Sequence, residues 1–371
     1  MTGKVVIFAE DPGAANWLGP LSQHLHERGN QVAFLADGVA LLYLRQRGFH
    51  VQSIAPEEDI TACLHADRIH AVVVGTAENF ETRAFEIVDA AKRMHIPSFS
   101  VVDQSTNVEH RFRGTTSNRF AHVTDIVFVA CSAVADEFVR LGLPREHLRI
   151  VGNPHHDAVR ERGKELARLD RKQLRKRLFP GLAADRLLVV FLTEVGYVMN
   201  PEAKQWEQEF RLLGRGGSTY RTLVVLEELV GALAELMPKP LLVVRLHPKS
   251  ERSEFSALES EIADFSAGGD PLIVCASADL VVGMTSSLLE ESALMGCRTL
   301  SIVPRPVEAK WLSAVADGLI PCVSERSDLR QVIPGLLFGP PPKPALHLDG
   351  PLAVEAIARH IEQVVASHAA P

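Results

Sequence analysis

Short apolar runs alternate with amphipathic segments over the first 155 residues of the chain. The runs Val5–Ala9, Val32–Ala36, Ala71–Val74, Ser98–Val102, Ile126–Ala130 and Leu148–Val151 are rich in Val, Ile and Phe. Such runs suit strands buried on both faces. Between several of them, Trp17–Arg28, Ala84–Met94 and Ala133–Leu141 repeat apolar residues at helical spacing. Strands and helices in this order predict a parallel sheet covered on both sides.

The rhythm then breaks. His156–Leu178 reads HDAVRERGKELARLDRKQLRKRL, a single long charged helical pattern with Leu166, Leu169, Leu174 and Leu178 on one side. Its basic residues form either a solvated face or a weak contact with an anionic membrane surface. Alternation resumes with strands expected at Leu187–Leu192, Leu241–Leu246, Leu272–Val274, Leu280–Val282 and Leu300–Val303. Helices are expected at Tyr220–Leu236, Ser287–Met295 and Glu308–Ala316. The glycine-rich segment Leu212–Arg221, LLGRGGSTYR, reads as a mobile loop. After the Pro-rich run Gly339–Pro344 comes a terminal helix, Pro351–Ala366, able to pack on either domain.

The expected organisation is an N-terminal domain over 1–155, a linker helix over 156–184, a C-terminal domain over 185–345 and a terminal helix over 346–371. The fold class is α/β, with two doubly wound Rossmann-like domains facing a cleft. Ligands of such folds bind at the carboxyl ends of the strands.

Length and composition agree with this. A chain of 371 residues exceeds what one hydrophobic core usually supports. Apolar residues at 46% and charged residues at 23% describe an ordinary globular protein. Against 39 basic residues stand 46 acidic ones, a net charge of −7, so there is no electrostatic case for a nucleic-acid partner. The cysteines Cys63, Cys131, Cys275, Cys297 and Cys322 are scattered without a CxxC pair. They read as small buried hydrophobes in a reducing compartment, not as a disulfide frame or zinc site. The opening MTGKVVIFAED enters a strand without a signal-peptide core, and no apolar run reaches the roughly 18 residues of a membrane span. A cytoplasmic protein is expected, with peripheral contact at the inner membrane face as a variant.

The chemistry gathers where strands end. RLHPKS places Arg245, His247, Pro248 and Lys249 at or just past one strand, and VVGMTSS places Thr285, Ser286 and Ser287 past another. A helix starting at Ser286 or Ser287 would offer free N–H groups and a positive dipole end to a phosphate. The plain alternative is that Ser286 only caps the helix, with Glu290 or Glu291 helping its first turn. The nearby His-Pro-Lys loop favours a phosphate pocket, in which His247 hydrogen-bonds or protonates a leaving oxygen. Glu290 and Glu291 accept from ribose hydroxyls on this reading, or merely offset the dipole on the other.

In the first half, AEDPGAANW follows the first strand and fits neither GxGxxG nor GxxxxGK[ST]. Asp11 serves as a general base toward an acceptor hydroxyl or as a helix cap, while Gly13 permits close approach. Asp103, Gln104, Ser105 and Thr106, in VVDQSTN, end another strand of the same sheet and would line the same cleft.

Three stretches resemble a known superfamily. VGNPHHDAV at Val151–Val159, RLHPKS at Arg245–Ser250 and GMTSSLLEESALMGCRTLSIV at Gly283–Val303 look like landmarks of the two-domain GT-B glycosyltransferases. GNPxxD is similar to a segment of non-hydrolysing nucleotide-sugar 2-epimerases and lipid A disaccharide synthases. The His-Pro and Ser-Ser pairs resemble those of polysialyltransferases, capsule transferases and teichoic acid glycerophosphotransferases. The resemblance implies donor contacts for His247, Pro248, Ser286 and Ser287, with Glu290 or Glu291 near ribose. Two features depart from the epimerases: Ser287-Leu288 replaces a glycine pair, and their arginine-bearing segment after the first strand is absent. Asp103-Gln104 stands where many capsule and teichoic acid enzymes carry histidine-glycine.

The leading expectation is therefore metal-independent transfer of a glycosyl or related group from a nucleotide-activated donor to an acceptor hydroxyl, in surface glycan or glycoconjugate synthesis. No metal ion or other cofactor is expected, and the partners are a nucleotide sugar and a glycan or small-molecule acceptor. The second expectation is a UDP-sugar 2-epimerase or hydrolase on the same fold. The third is a non-catalytic binding or assembly protein.

Overall fold

The structure, a computed structural model, describes residues 3–54, 60–66, 68–76, 79–103, 107–194, 210–218, 220–340 and 352–368. The chain divides into two compact units, Met1–Ala158 with Asp349–Pro371, and Val159–Leu348.

In the first unit, β1 (Lys4–Ala9), β2 (Gln31–Ala36), β3 (Ala71–Gly75), β4 (Ser98–Val102), β5 (Ile126–Val129) and β6 (Leu148–Ile150) form one parallel sheet in the order β2-β1-β3-β4-β5-β6. β3 and β4 are buried along their whole length, as strands covered on both faces must be. The helices α1 (Pro12–Glu27), α2 (Gly38–Gln46), α3 (Ile60–Ala66), α4 (Arg83–Arg93) and α5 (Ser132–Arg140) supply the cover. α1 starts where it does because Asp11 accepts from the Ala14 N–H at 2.9 Å and Pro12 occupies the first turn. It buries Trp17, Leu18, Leu21 and Leu25 against the sheet. The α6 helix (Pro154–Leu166) carries the chain onward, and the terminal helix, Ala353–His368, returns to this unit. Ile357, Ala358 and Ile361 join the core around β1, and Glu362 pairs with Arg28 at 2.6 Å.

The second unit opens with α7 (Arg171–Leu178) and holds β7 (Leu188–Leu192), β8 (Leu241–Arg245), β9 (Asp264–Ser266), β10 (Leu280–Gly283), β11 (Thr299–Ile302) and β12 (Cys322–Val323). These strands pair in the order β12-β11-β10-β7-β8-β9. Around them lie α8 (Arg221–Ala234), α9 (Pro271–Ser277), α10 (Ser287–Leu294), α11 (Ser313–Ala316) and α12 (Arg326–Phe338). Strand order reverses between β7 and β10. A doubly wound sheet binds ligands at such a switch point.

Several local expectations need correction. Leu272–Val274 is no strand but part of α9, because Asp270 caps the Leu272 N–H at 2.9 Å and Pro271 opens the helix. A short apolar run carries no period that separates the two states. The charged pattern His156–Leu178 is two helices, since Asp170 ends the first stretch and caps the second through Lys172 and Gln173. Glu308–Ala316 is a 3-10 turn, Pro306–Trp311, followed by α11. The Leu212–Arg221 loop is tied down: Glu228 accepts from the Gly214 N–H at 2.8 Å and Glu227 from the Arg215 N–H at 2.7 Å.

Candidate functional site

Unit 2 brings three strand ends together at its switch point. Thr193 follows β7, and its hydroxyl accepts from the His247 N–H, after β8, at 2.7 Å. Glu194, the next residue, reaches across to the loop after β10. Its Oε1 accepts from the Met284 and Thr285 N–H groups at 3.1 and 2.6 Å, and its Oε2 from the Thr285 hydroxyl at 2.9 Å. Two successive amides and a hydroxyl thus make an anion seat, and a carboxylate of the chain itself fills it. Thr285, expected to bind a donor phosphate, is committed to Glu194.

Ser286 is the N-cap of α10, its hydroxyl accepting from the Leu288 N–H at 3.1 Å. Ser286 thus does cap the helix. Ser287, in the first turn, is exposed, as are Pro248 and Lys249. Glu290 accepts from the Ser313 hydroxyl at 3.0 Å and so faces α11. Burial raises its pKa, the Ser313 hydrogen bond opposing. Glu291 is half-buried beside it. Arg245 points elsewhere: its guanidinium donates to Ser266 Oγ at 2.9 Å and to the Gly269 carbonyl at 3.2 Å. Those bonds hold it at the β9 edge, away from the β7–β10 switch point.

His247 is set up as a neutral donor. Its Nδ1 accepts from the Lys249 N–H at 3.1 Å, so the ring proton resides on Nε2. Burial lowers its pKa below the ordinary 6.5, Lys249 lowers it further and Glu194 opposes both. A hydrogen bond to a phosphate oxygen suits this imidazole; a resident positive charge at neutral pH does not. Affinity for a diphosphate diester, which does not titrate in this range, is accordingly expected to stay flat from pH 8 to pH 6.5. Calorimetric titration checks this, and affinity that climbs as pH falls toward 6.5 would show that His247 binds as a cation. The same shift makes the folded state lose stability as pH drops below 6.5 through the lowered pKa, because the unfolded chain takes up the proton first.

Unit 1 assembles its own cluster at the carboxyl ends of β1, β3 and β4. Asp103 pairs with Arg111 at 3.2 Å, with side chains only 7% and 4% exposed. Arg111 also donates to the carbonyl of Thr76, just past β3, at 3.3 Å. Asp11 caps α1, and Gly13 lies between the two carboxylates. A Cβ on Gly13 would stand 1.8 Å from Asp103 Oδ2 and 3.2 Å from Asp11 Oδ1, so these two oxygens lie no more than about 5 Å apart. Asp11, Gly13 and Asp103 are thus neighbours. Two carboxylates lie near one another, one of them held against a buried guanidinium. Glu10 accepts a short hydrogen bond from the Thr82 hydroxyl beside them. Gln104, Ser105 and Thr106 lie outside the described residues.

No family model matches the chain, and no curated protein matches it. Solved structures do, over nearly its whole length. UDP-GlcNAc 2-epimerase from Methanocaldococcus jannaschii aligns with a TM-score of 0.68 at 14% identity, covering 97% of this chain and 99% of that one. The enzyme of the same name from Neisseria meningitidis, bound to UDP-GlcNAc, aligns with a TM-score of 0.60 at 15% identity, covering 97% and 100%. The glycotransferase of kitacinnamycin gives 0.54 at 13% identity, covering 99% and 95%. The fold is GT-B.

Within this GT-B frame the residues that sequence reasoning missed form one buried chain of charges. Glu194 pairs with Arg221 at 3.0 Å, Arg221 with Glu308 at 2.5 Å, and Glu308 with Arg305 at 2.5 Å. Glu308 is fully buried, and Trp311 stacks at 5.7 and 5.6 Å from the Arg221 and Arg305 guanidinium carbons. Tyr220 and Thr222 add hydrogen bonds to the Glu194 carbonyl. The network fixes the first turn of α8 to the ends of β7 and β10. One signal was available: Glu194 ends an apolar strand run just as Asp11 and Asp103 do.

Proposed function

We propose that this chain is a nucleotide-sugar-dependent enzyme that acts on a UDP-sugar alone, as a 2-epimerase or hydrolase. This reverses the order reached from sequence, where transfer came first. The observation that carries it is the whole-length likeness to UDP-GlcNAc 2-epimerases, one of them bound to its sugar nucleotide. The paired carboxylates of unit 1 support it, since moving a proton at C2 of a sugar calls for an acid and a base on hand. In this reading the diphosphate lies at the start of α10 beside His247 Nε2, with Ser286 and Ser287 nearby. Asp103 and Asp11 handle the proton.

Transfer to an acceptor hydroxyl is the second reading. It is favoured by the likeness to a glycotransferase and by Ser287-Leu288, where the epimerases carry a glycine pair. Incubation with UDP-GlcNAc in deuterium oxide without any acceptor separates the two. The C2 epimer carrying deuterium at C2, or free UDP, is expected, and either should disappear in Asp103→Asn. Silence without acceptor but UDP release once a glycan is added would replace this reading with transfer. A protein that neither binds nor turns over any UDP-sugar would leave only a binding or assembly role.

A further inference from the structure

The edge of the unit-2 sheet remote from this site, where its strands begin, has an unusual surface. Between Arg168 and Leu178 the chain carries Arg168, Arg171, Lys172, Arg175, Lys176 and Arg177 against a single acid, Asp170. Two of these cations are occupied internally. Arg175 is buried, donates to the Ser277 and Arg186 carbonyls at 2.7 and 2.9 Å and pairs with Asp279 at 2.7 Å. Arg171 pairs with the same aspartate at 3.2 Å. Asp279 in turn accepts from the Leu188 N–H at 2.7 Å, which pins α7 to the beginning of β7. The other four, Arg168, Lys172, Lys176 and Arg177, are exposed, and among the described residues none of them has an ion pair.

The cationic strip continues past α7. Arg186 reaches the carbonyl of Lys239 just ahead of β8, and both side chains are exposed. Counting these two residues and the six above against Asp170, Asp185 and Asp279 leaves an excess of five positive charges, in a chain whose net charge is −7. Large apolar side chains stand out along the same edge. Met237, beside Lys239, is 88% exposed, and Leu169, at the start of α7, is 49% exposed. Phe338, 58% exposed, is flanked by carbonyls that Arg298 holds at the beginning of β11. Beside the cations, these three give the edge the pairing of positive charge and apolar side chains that a face meeting lipid needs.

We infer that this edge of unit 2 is a docking surface for an anionic membrane. Lys172, Lys176, Arg177 and their neighbours meet the headgroups, while Met237, Leu169 and Phe338 enter the interface. The switch-point site lies at the other ends of the same strands, so a docked unit 2 keeps it open to a soluble sugar nucleotide. The inference stands whichever reaction the site performs.

Cosedimentation of the full chain with vesicles tests it. Binding is expected to phosphatidylcholine vesicles that include one third phosphatidylglycerol, and not to phosphatidylcholine alone. It should vanish at molar salt, where the screening length falls to about 3 Å. The triple variant Lys172→Glu/Lys176→Glu/Arg177→Glu should partition at least roughly a hundredfold more weakly, three cations at the strength usual near anionic lipid. Its unchanged melting curve would show that the loss is not unfolding. Met237→Ser should weaken binding several-fold without changing its salt dependence. Equal binding to neutral vesicles, no binding to anionic ones, or wild-type partitioning by the triple variant would overturn the inference. So would retention on heparin without vesicle binding, which would point to a polyanionic macromolecule instead.

Discussion

Glu308→Ala is expected to destabilise unit 2 by about 3–5 kcal/mol, the usual cost of stranding a buried charge. Its carboxylate is fully buried and receives Arg221 Nε at 2.6 Å on one oxygen and Arg305 Nε at 2.5 Å on the other. Without it Arg221 keeps Glu194, but Arg305, 4% exposed, is left among the described residues with the faces of Phe210 and Trp311. Ring faces do not replace a carboxylate for a cation cut off from water. At about 2–4 °C per kcal/mol for a unit of this size, the melting temperature should fall by roughly 10 °C.

The cause can be separated from lost volume. Glu308→Gln keeps the shape and one acceptor oxygen, so it should cost less than alanine but more than a surface change. Adding Arg305→Met to Glu308→Ala should recover part of the loss, because the stranded charge is then gone. Urea and thermal unfolding of the three variants provide the comparison. If Glu308→Ala melts within about 1 kcal/mol of the parent, the chain of charges is not what joins the strand ends.

That chain also marks where sequence reading stopped. The central strands were legible because a parallel strand buried on both faces must be a run of Val, Ile, Leu or Phe, and LVVFL or AVVVG permits few other readings. β9 and β12, three and two residues at the outer edges, are too short to leave a period. The cap residues were legible in type but not in role. Asp11 and Ser286 each proved to cap a helix, and a capping hydroxyl or carboxylate can still lie beside a substrate. Arg221, Glu308 and Arg305 were invisible for another reason. Each looks like an ordinary surface charge, and only folding brings Arg221 and the neighbouring Arg305 and Glu308 into one buried line with Glu194. Arg245 was misplaced because it lies in the same strand-end segment as His247, and nothing local says which neighbour its guanidinium will choose. In a strand, side chains two apart share a face, but a long guanidinium can leave it for the sheet edge.

On the function proposed above, Gly13→Ala is expected to lower turnover about a hundredfold while leaving nucleotide binding unchanged. The added methyl would sit 1.8 Å from Asp103 Oδ2, far inside any contact distance. Something has to yield, and the candidates are few. α1 is fixed by Asp11 and packs so hard on the sheet that a Cβ on Gly75 would lie 2.3 Å from the Ala14 methyl. Asp103 is the softer partner, but moving it breaks its 3.2 Å pairing with the buried Arg111. The shift of about 1 Å that relieves the clash is the size that disables a catalytic group. Alanine also favours the helix over glycine by about 1 kcal/mol, which offsets only part of the strain and of the lost Arg111 pairing, so the melting temperature should fall by several degrees while the protein stays folded. The separation of kcat from KM is the decisive readout. A fall in kcat at unchanged KM ties the Asp11–Asp103 pair to the chemical step, whereas full activity in a folded Gly13→Ala protein would remove both aspartates from it and return Asp11 to a helix cap.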